Sequence, residues 1–398
     1  MKWSALLESV RLARPRMSLR LPRGTVAWAE AELSGEFSRG WRGASSHLDA
    51  SNASLAEQIR AETEALNRNN VTRTAAYLEI YKSYPELHWA LLAHLVSRNG
   101  GWNMTDLQGA WLPRLLTQHD RSTLFGMLES CNALIFRDAY PQLRLYDESR
   151  RAGRSRFSLL PAFGVSAFMK PFWERFWIER ESAALTVALI VNEQYVIERR
   201  VVQDPSYKLT VLESAAFRGM RPLQLQQIVV PLGGVLQERN DRPAAVLAGR
   251  VLESFASVDE RIAFGKNLYA MLFAYPKVLG GALTFAESVR HTGSRADYWP
   301  DRFTARDGDD GQRSRSVPQE TGEERWYSPR LADAWPDRPL GRVDEGDWLA
   351  DLSVLKHFRT LRAPIAFVMT YEHEFGQRKL EAAALALNAL KRHAAHRA

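Results

Sequence analysis

The first residues that could bind a ligand or take part in catalysis lie in segment 97–107, where polar side chains follow an apolar stretch. The segment holds Arg98, Asn99, Asn103 and Asp106 close to Trp102. An arginine presents a planar fork for a carboxylate or phosphate, and amide and carboxylate groups orient a ligand through hydrogen bonds. The alternative is structural: these residues lock two helices together, with Asp106 balancing Arg98. We predict that the segment contributes ligand-binding residues.

A second polar group lies in segment 291–299. It contains His291, Ser294, Arg295 and Asp297, followed by Tyr298 and Trp299. A histidine, a hydroxyl and a carboxylate are the components of a nucleophilic triad, but a triad is defined by geometry across the fold rather than by closeness in sequence. The run Thr292-Gly-Ser could instead form an anion-binding nest of backbone N–H groups. A hydrogen-bonded structural loop is the third interpretation, and His291 is the candidate for proton transfer.

Metal and cofactor sites have little support in the sequence. The Glu-His-Glu run at 372–374 lacks a second histidine at helical spacing, and His88 and His94 are six residues apart instead of four. The only cysteine, Cys131, excludes an internal disulfide, and its apolar neighbours predict a buried, inert thiol. We find neither a phosphate-binding loop nor a dinucleotide glycine fingerprint. We expect no metal, and the cofactor stays unknown.

The formal net charge of +7 is concentrated at the two ends of the chain. Residues 1–25 carry a net charge of +5 and residues 391–398 carry +3, which leaves the body between them at −1. A nucleic-acid-binding fold needs a basic face on its body, so we expect no nucleic-acid partner. A local basic cluster lies in a Gly/Ser-containing stretch that we interpret as a solvated loop; it comprises Arg150, Arg151, Arg154 and Arg156.

The longest apolar run, residues 183–191, is too short for a transmembrane helix, which needs about 20 residues. The N-terminus lacks the pattern of a signal peptide, so we expect a cytoplasmic protein. Residues 1–12 nevertheless place four apolar side chains on one helical face, ahead of Arg11 and Arg14; these are Trp3, Leu6, Leu7 and Val10. Such a helix either docks on the core, frays as a basic tail or contacts a membrane surface.

Apolar residues recur mostly at three- and four-residue spacing, which predicts a mainly α fold of stacked helical hairpins in one or two lobes, with few or no short strands. Ser54, Thr105 and Ser257 each begin a capping-box pattern, and each predicts a helix start. We expect Gly100 and Gly101 to end the helix that precedes them. Further helices are predicted at 70–83, 121–138, 162–200, 347–361 and 375–395, and short strand candidates without a clear partner at 195–197 and 228–230.

The composition divides the chain into four parts. Residues 1–53 form a basic segment and a loop, and residues 54–300 form a helical core that carries both polar segments. Residues 301–330 are almost free of apolar side chains before Trp326, which is typical of a mobile charged loop. Residues 331–398 supply helices that pack on the core.

Four stretches of the sequence resemble a known family. Residues 67–74 read Asn-Arg-Asn-Asn-Val-Thr-Arg-Thr, residues 88–90 read His-Trp-Ala, and the two polar segments follow at 97–107 and 291–300. Together they resemble the YppC-like proteins of spore-forming Gram-positive bacteria, a family with a domain of unknown function. The resemblance extends over residues 65–380 and is weakest at 305–320. It implies a bacterial, cytoplasmic protein, and it brings no activity and no site residues.

The sequence therefore favours a helical protein in which the two polar segments line one pocket for a small polar or anionic ligand. Arg98 and Arg295 would hold negative charge, and Asn103 would orient the ligand. Asn99, Asp106, Ser294 and Asp297 complete the set of binding candidates. The alternative is a non-catalytic scaffold or interaction protein with a peripheral membrane contact through its basic N-terminus. Some 190 residues separate the two segments, so the sequence leaves open whether they meet.

Overall fold

The computed structural model describes residues 3–39, 48–208, 226–239, 242–306, 325–341 and 346–395. Helices dominate these residues, and the predicted mainly α class is confirmed. The first half of the chain contains α1 (Trp3–Leu12), α2 (Thr25–Arg39), α3 (Ala50–Leu66), α4 (Asn70–Ser83), α5 (His88–Asp106), α6 (Leu112–Leu115) and α7 (Gln118–Ala152). The second half contains α8 (Met169–Glu179), α9 (Ser182–Ile197), α10 (Pro205–Tyr207), α11 (Val258–Ala274), α12 (Pro276–Ser288), α13 (Leu331–Ala334) and α14 (Thr370–Ala395).

Side-chain caps determine where several of these helices begin. Ser257 accepts a hydrogen bond from the Glu260 N–H, so the predicted start of α11 is confirmed. The start predicted at Ser54 is wrong by one turn, because Asp49 caps the helix by accepting from the Asn52 N–H at 2.8 Å. Asn69 forms a capping box with Thr72 at the start of α4, and both residues belong to the stretch 67–74 that resembles the family.

Helix α5 differs most from its prediction. Gly100 and Gly101 lie inside it rather than ending it, and Thr105 lies in its last turn rather than starting a new helix. Residues 101–107 are all buried. A glycine in a helix costs about 1 kcal/mol relative to alanine. Packing on all sides of the helix offsets that cost.

The predicted long helix at 162–200 is wrong as a single element. It consists of the end of a 3-10 segment (Phe157–Phe163), then α8 and α9, and then a π-helical turn (Glu198–Val202). Arg180 has a φ of 56° between α8 and α9, and this left-handed residue ends α8. The strand candidate at 195–197 is also wrong, because these residues belong to α9. A short apolar run fits a buried helix as well as a strand.

Other helix predictions shift at their boundaries. The helix predicted at 121–138 is the middle of α7, which is 35 residues long. The helix predicted at 347–361 is a shorter 3-10 segment (Leu352–Phe358), whereas the one predicted at 375–395 begins earlier, at Thr370.

The part of the chain that the structure describes also contains two small sheets. The candidate at 228–230 is part of β1 (Gln227–Arg239), and it does have a partner, because β1 pairs antiparallel with β2 (Arg242–Val251). The pairing register shifts between Leu232 and Leu236, around Gly233 and Gly234. In the second sheet, β3 (Phe303–Thr304) pairs in parallel with β4 (Trp326–Tyr327). These strands bring the two ends of segment 301–330 together, and residues 307–324 lie outside the described residues.

Among the described residues, apolar packing occurs in one large cluster and two smaller ones. The large cluster extends from Ala5 of α1 to Val368 near the start of α14 and contains Trp89 and Trp173. A second cluster surrounds Trp111. The smallest cluster consists of Trp102, Val229, Leu247, Phe285, Tyr298 and Met369, and it lies beside the polar segments.

Several sequence predictions concern burial and boundaries. Cys131 is buried, and burial raises the pKa of its thiol to about 12, as expected for an inert thiol.

Among the described helices, no single one is long and apolar enough to span a membrane, and only α11 and α12 taken together, bent by 97°, reach that length and composition. The loop predicted within residues 1–53 is interrupted by a helix, since α2 extends from Thr25 to Arg39 and α3 starts at Ala50. Residues 40–47 and 396–398 lie outside the described residues.

Candidate functional site

The two polar segments meet in the folded chain, although 189 residues separate their central ion pair. The Arg295 Nε donates to the Asp106 carboxylate, and the Thr105 hydroxyl donates to the Gly293 carbonyl at 2.7 Å. Asp106 therefore balances Arg295, and the predicted pairing of Asp106 with Arg98 is wrong. We call residues 97–107 and 291–299 together the polar cluster.

Gly101 brings α5 against the second segment. A Cβ at this position would lie 2.6 Å from the Asn70 Oδ1 and 2.6 Å from the His291 Cε1, closer than real Cβ contacts allow. The His291 Nε2 lies 2.8 Å from the Asn70 Oδ1, and the Asn70 amide nitrogen donates to the Ser97 carbonyl at 2.9 Å. Because the Asn70 oxygen accepts, Nε2 of His291 carries the hydrogen and Nδ1 has the free lone pair.

Arg295 lies at the aromatic centre of the cluster. Its guanidinium carbon is 4.1 Å from the Trp102 ring and within 6 Å of three further rings, those of Trp111, Trp299 and Phe303. The side chain is buried, and its Nη1 and Nη2 have no hydrogen-bond partner within the described residues. Burial lowers the pKa of Arg295 and raises that of Asp106, while the attraction between the two opposes both shifts. The aromatic faces partly replace the missing hydrogen-bond partners.

Arg98 is also fully buried, but it has no carboxylate partner within the described residues. Its Nη1 donates to the Val289 carbonyl at 2.7 Å, and its guanidinium lies 4.4 Å from the Phe285 ring centre. Nε and Nη2 make no well-aligned hydrogen bond in the described part of the chain, although the Tyr298 hydroxyl and the Asp297 carboxylate are close enough to interact with the guanidinium. Arg98 is therefore a buried cation that has two poorly satisfied donors and forms no ion pair among the described residues.

His291 and Asp297 are neighbours without a direct hydrogen bond. The His291 Nδ1 lies 3.8 Å from the Asp297 Oδ2 and has no hydrogen-bond partner among the described residues. Asp297 instead accepts from the Thr292 N–H at 2.6 Å and from the Thr292 hydroxyl at 2.8 Å. Burial, with Arg98 and His94 nearby, lowers the pKa of His291 well below its ordinary value, so the ring is neutral at pH 7.

Ser294 and the neighbouring N–H groups serve the loop itself. The Ser294 hydroxyl donates to the Ser328 carbonyl at 2.6 Å and accepts from the Ala296 N–H at 3.0 Å. The Arg295 N–H donates to the Ser328 hydroxyl at 2.9 Å. In this conformation the Ser294 proton is donated to Ser328, and the N–H groups of Thr292 and Ser294 have partners within the loop, namely Asp297 and the Thr292 hydroxyl. A triad or an anion nest would therefore require a different loop conformation.

The two asparagines of the first segment differ in their roles. Asn99 donates to the Val229 carbonyl at 2.9 Å and accepts from the Val229 N–H at 3.0 Å, so its side chain pairs with β1 as a neighbouring strand would. Asn103 is 5% exposed, and its Oδ1 has no hydrogen-bond partner among the described residues. Asn99 therefore has a visible structural contact, whereas the Asn103 oxygen is unused.

Residues that the sequence patterns did not indicate complete the cluster from other elements. Asn70 comes from α4, and only its place in the family-like stretch 67–74 could have indicated it. His373 of α14 stacks on Trp299 with ring centres 4.5 Å apart. Its Nδ1 lies 2.9 Å from the Gln227 Oε1 and its Nε2 2.8 Å from the Gln377 Nε2. Within the described residues, no group of three or more His, Cys, Asp or Glu is arranged to hold a metal.

The space beside the cluster is small. A cavity of about 10 Å³ adjoins the Arg295–Asp106 pair, and its lining comprises Asp106, Ala110, Trp111, Leu112, Phe303 and Tyr327. This volume accommodates about one water molecule. A larger ligand would reach the cluster only if the residues that cover it moved.

A separate pair of buried carboxyl groups, which the sequence did not indicate, lies between α5, α7 and α9. Asp138 accepts from the Gln142 amide at 2.7 Å and from Asn192, and Glu193 accepts from the Trp89 indole N–H at 3.0 Å. Burial raises the pKa of Asp138 to about 7 and that of Glu193 to about 8. Both carboxyl groups therefore bind protons near neutral pH.

Comparisons with known proteins identify relatives without a known activity. Residues 65–379 match a family described as "Protein of unknown function (DUF2515)". The "Uncharacterized protein YppC" of Bacillus subtilis (strain 168) is 39% identical over 243 residues, which cover 61% of this chain and 72% of the relative. No solved structure matches the chain. The matched range includes the whole polar cluster and ends inside α14.

Proposed function

We propose that this chain, which belongs to the DUF2515 family of proteins of unknown function, binds a small anionic or polar ligand at the polar cluster. The observation that carries the proposal is Arg98, a fully buried guanidinium with two poorly satisfied donors and no ion pair among the described residues. Taking a charge out of water costs several kcal/mol unless another charge and hydrogen bonds replace the water. An anion bound at Arg98 would supply both.

The neighbouring groups suit a ligand that carries both negative charge and a hydroxyl or amide group. The Arg295 Nη1 and Nη2 are unused donors, whereas the Asn103 Oδ1 and the His291 Nδ1 are unused acceptors. A carboxylate or phosphate would face the arginines, and a hydroxyl or amide hydrogen of the ligand would face the acceptors. His291 is neutral and retains a lone pair, so it is the group that would accept a proton if a reaction takes place.

Binding at this site requires movement of its cover. The described cavity accommodates about one water, and Val289, Phe285 and Tyr298 surround the Arg98 guanidinium. We therefore propose that the ligand enters when the segment around residues 289–298 moves outward, and that the bound anion draws the segment back through its contacts with both arginines. The cytoplasmic location inferred from the sequence belongs to the same proposal.

The experiment is a ligand screen by thermal unfolding and calorimetry. Wild type and Arg98→Met are titrated with inorganic phosphate, citrate and a neutral polyol of similar size. We expect at least one anion to raise the Tm of the wild type in a saturable way, and Arg98→Met to remove the rise. Arg151→Met serves as control, because it removes an arginine whose side chain is 65% exposed on α7.

Two outcomes would overturn the proposal. One is that no anion in the panel shifts the wild-type Tm, and the other is that Arg98→Met responds to the anion as the wild type does. If Arg98→Met fails to fold, Arg98→Lys keeps the charge but loses the fork, and we expect at least tenfold weaker anion binding from that variant.

The alternative function is a non-catalytic scaffold in which the polar cluster locks helices together. The contacts of Asn99 with Val229 and of Arg295 with Asp106 favour it, because both are internal pairs. On this hypothesis Arg98→Met unfolds at a lower temperature than the wild type, and no added anion affects either protein. Ligand response therefore separates the two functions more clearly than stability does.

A further inference from the structure

Helix α1 docks on the body through one face. Ala5, Ser9 and Leu12 of this face are buried. The Ser9 hydroxyl accepts from the Val368 N–H at 2.9 Å and from the Phe367 N–H at 3.1 Å, and it donates to the Ala5 carbonyl at 2.8 Å. These bonds fix the rotation of α1 about its own axis, and they determine which face points away from the body.

The outward face of α1 is apolar. Trp3 is 80% exposed, Leu7 67% and Val10 37%. At about 100° per residue, these three side chains occupy a sector of about 60° on the side of the helix opposite Ala5, Ser9 and Leu12. Leu6, which the sequence assigns to the same face, is half-buried at its edge. An amphipathic helix normally buries its large apolar side chains on the core, and α1 buries Leu12 but leaves these three exposed.

Basic side chains lie on α1 and on the segment that follows it. Arg11, Arg14, Arg16, Arg20 and Arg23 are all exposed. Glu8 is the only acidic residue among residues 1–25, and its side chain is 15% exposed and pairs with Arg11 at 3.6 Å. Met17, 56% exposed, adds an apolar side chain between the arginines. The segment 3–23 therefore presents exposed apolar and positively charged groups together.

We propose that segment 3–23 binds the surface of an anionic lipid bilayer, with Trp3, Leu7 and Val10 inserted at the interface and the arginines on the headgroups. Such a surface offers two layers that match the segment. The acyl chains accept the apolar side chains, including Trp3, and the acidic headgroups attract the arginines. A second copy of the chain is a poorer occupant, because it would place like charges opposite each other. This proposal does not rest on anion binding at the polar cluster.

The test is co-sedimentation of the full chain with vesicles of phosphatidylcholine alone and of phosphatidylcholine with 30% phosphatidylserine. We expect binding to the anionic vesicles at least tenfold tighter than to the neutral ones, and weaker binding as salt rises. The double variant Trp3→Ser/Leu7→Ser should lose most of this binding while keeping its circular dichroism spectrum, because both side chains are exposed. Ile178→Ser is the matched control, since Ile178 is 79% exposed on α8.

Several results would overturn the proposal. They are no binding to anionic vesicles at low salt, equal binding by the wild type and Trp3→Ser/Leu7→Ser, or the same loss of binding in Ile178→Ser. A concentration-dependent dimer, measured by light scattering and abolished by Trp3→Ser/Leu7→Ser, would show that a second copy covers the face instead.

Discussion

Replacement of Gly101 by alanine should destabilise the protein, although alanine is the better helix former. The added Cβ would lie 2.6 Å from the Asn70 Oδ1, 2.6 Å from the His291 Cε1 and 2.8 Å from the His291 Nε2. His291 is buried and bonded to Asn70, so neither side chain can move aside without loss of that hydrogen bond.

The expected magnitude combines three contributions. Alanine in place of a helical glycine stabilises by about 1 kcal/mol. Overpacking of a filled interior costs about 1–3 kcal/mol, and loss of the His291–Asn70 hydrogen bond costs about 1 kcal/mol more. Gly101→Ala should therefore lower the free energy of unfolding by about 1–3 kcal/mol.

The adjacent Gly100 provides a matched control. It lies in the same helix, and the nearest atom to its added Cβ, the Asn132 Nδ2, is 3.6 Å away, an ordinary van der Waals contact. Gly100→Ala should stabilise by about 0.5–1 kcal/mol. Urea unfolding of both variants, followed by circular dichroism, measures the difference. The reasoning is refuted if Gly101→Ala is as stable as the wild type, or if both variants change stability in the same direction.

Two further predictions concern buried polar groups. Burial raises the native pKa of Asp138 to about 7 and that of Glu193 to about 8. Between about pH 4 and these values, the native state therefore binds more protons than the unfolded state. The free energy of unfolding falls as pH rises through this window. Urea unfolding at pH 6.5 and pH 8 should show that fall in the wild type and a smaller one in Asp138→Asn; equal falls would contradict it. Asn99→Ala should cost about 2–3 kcal/mol by leaving the buried N–H and carbonyl of Val229 unpaired, whereas Asn52→Ala, at a half-buried position near the surface, should change stability by less than about 1 kcal/mol.

Local patterns in the sequence were sufficient for much of the helical framework. The mainly α class follows from apolar spacing, and the start of α11 follows from Ser257, because a capping side chain acts within three residues of itself. The meeting of segments 97–107 and 291–299 could not be predicted in this way. Their ion pair joins Asp106 to Arg295, whereas the structural alternative considered from the sequence paired Asp106 with the nearer residue, Arg98.

The errors have a common physical cause. Gly100 and Gly101 would end an isolated helix, yet α5 continues through both because the fold surrounds it and requires a residue without a side chain beside His291. The apolar run at 195–197 fits a strand or a helix equally well, and burial within α9 selects the helix. Likewise, Ser294 carries a hydroxyl of the type that serves in catalysis, but only the fold shows that this hydroxyl donates to the Ser328 carbonyl.

By itself the sequence determined the helical class, the polar character of the two segments and the concentration of positive charge at the ends, because these depend on composition and on spacing within a few turns. Only the tertiary structure decided which residues meet. It paired Arg295 with Asp106, left Arg98 without an ion pair among the described residues, and turned the apolar face of α1 outward. Those outcomes depend on packing between elements far apart in the chain, where the fit of neighbouring side chains outweighs local preference.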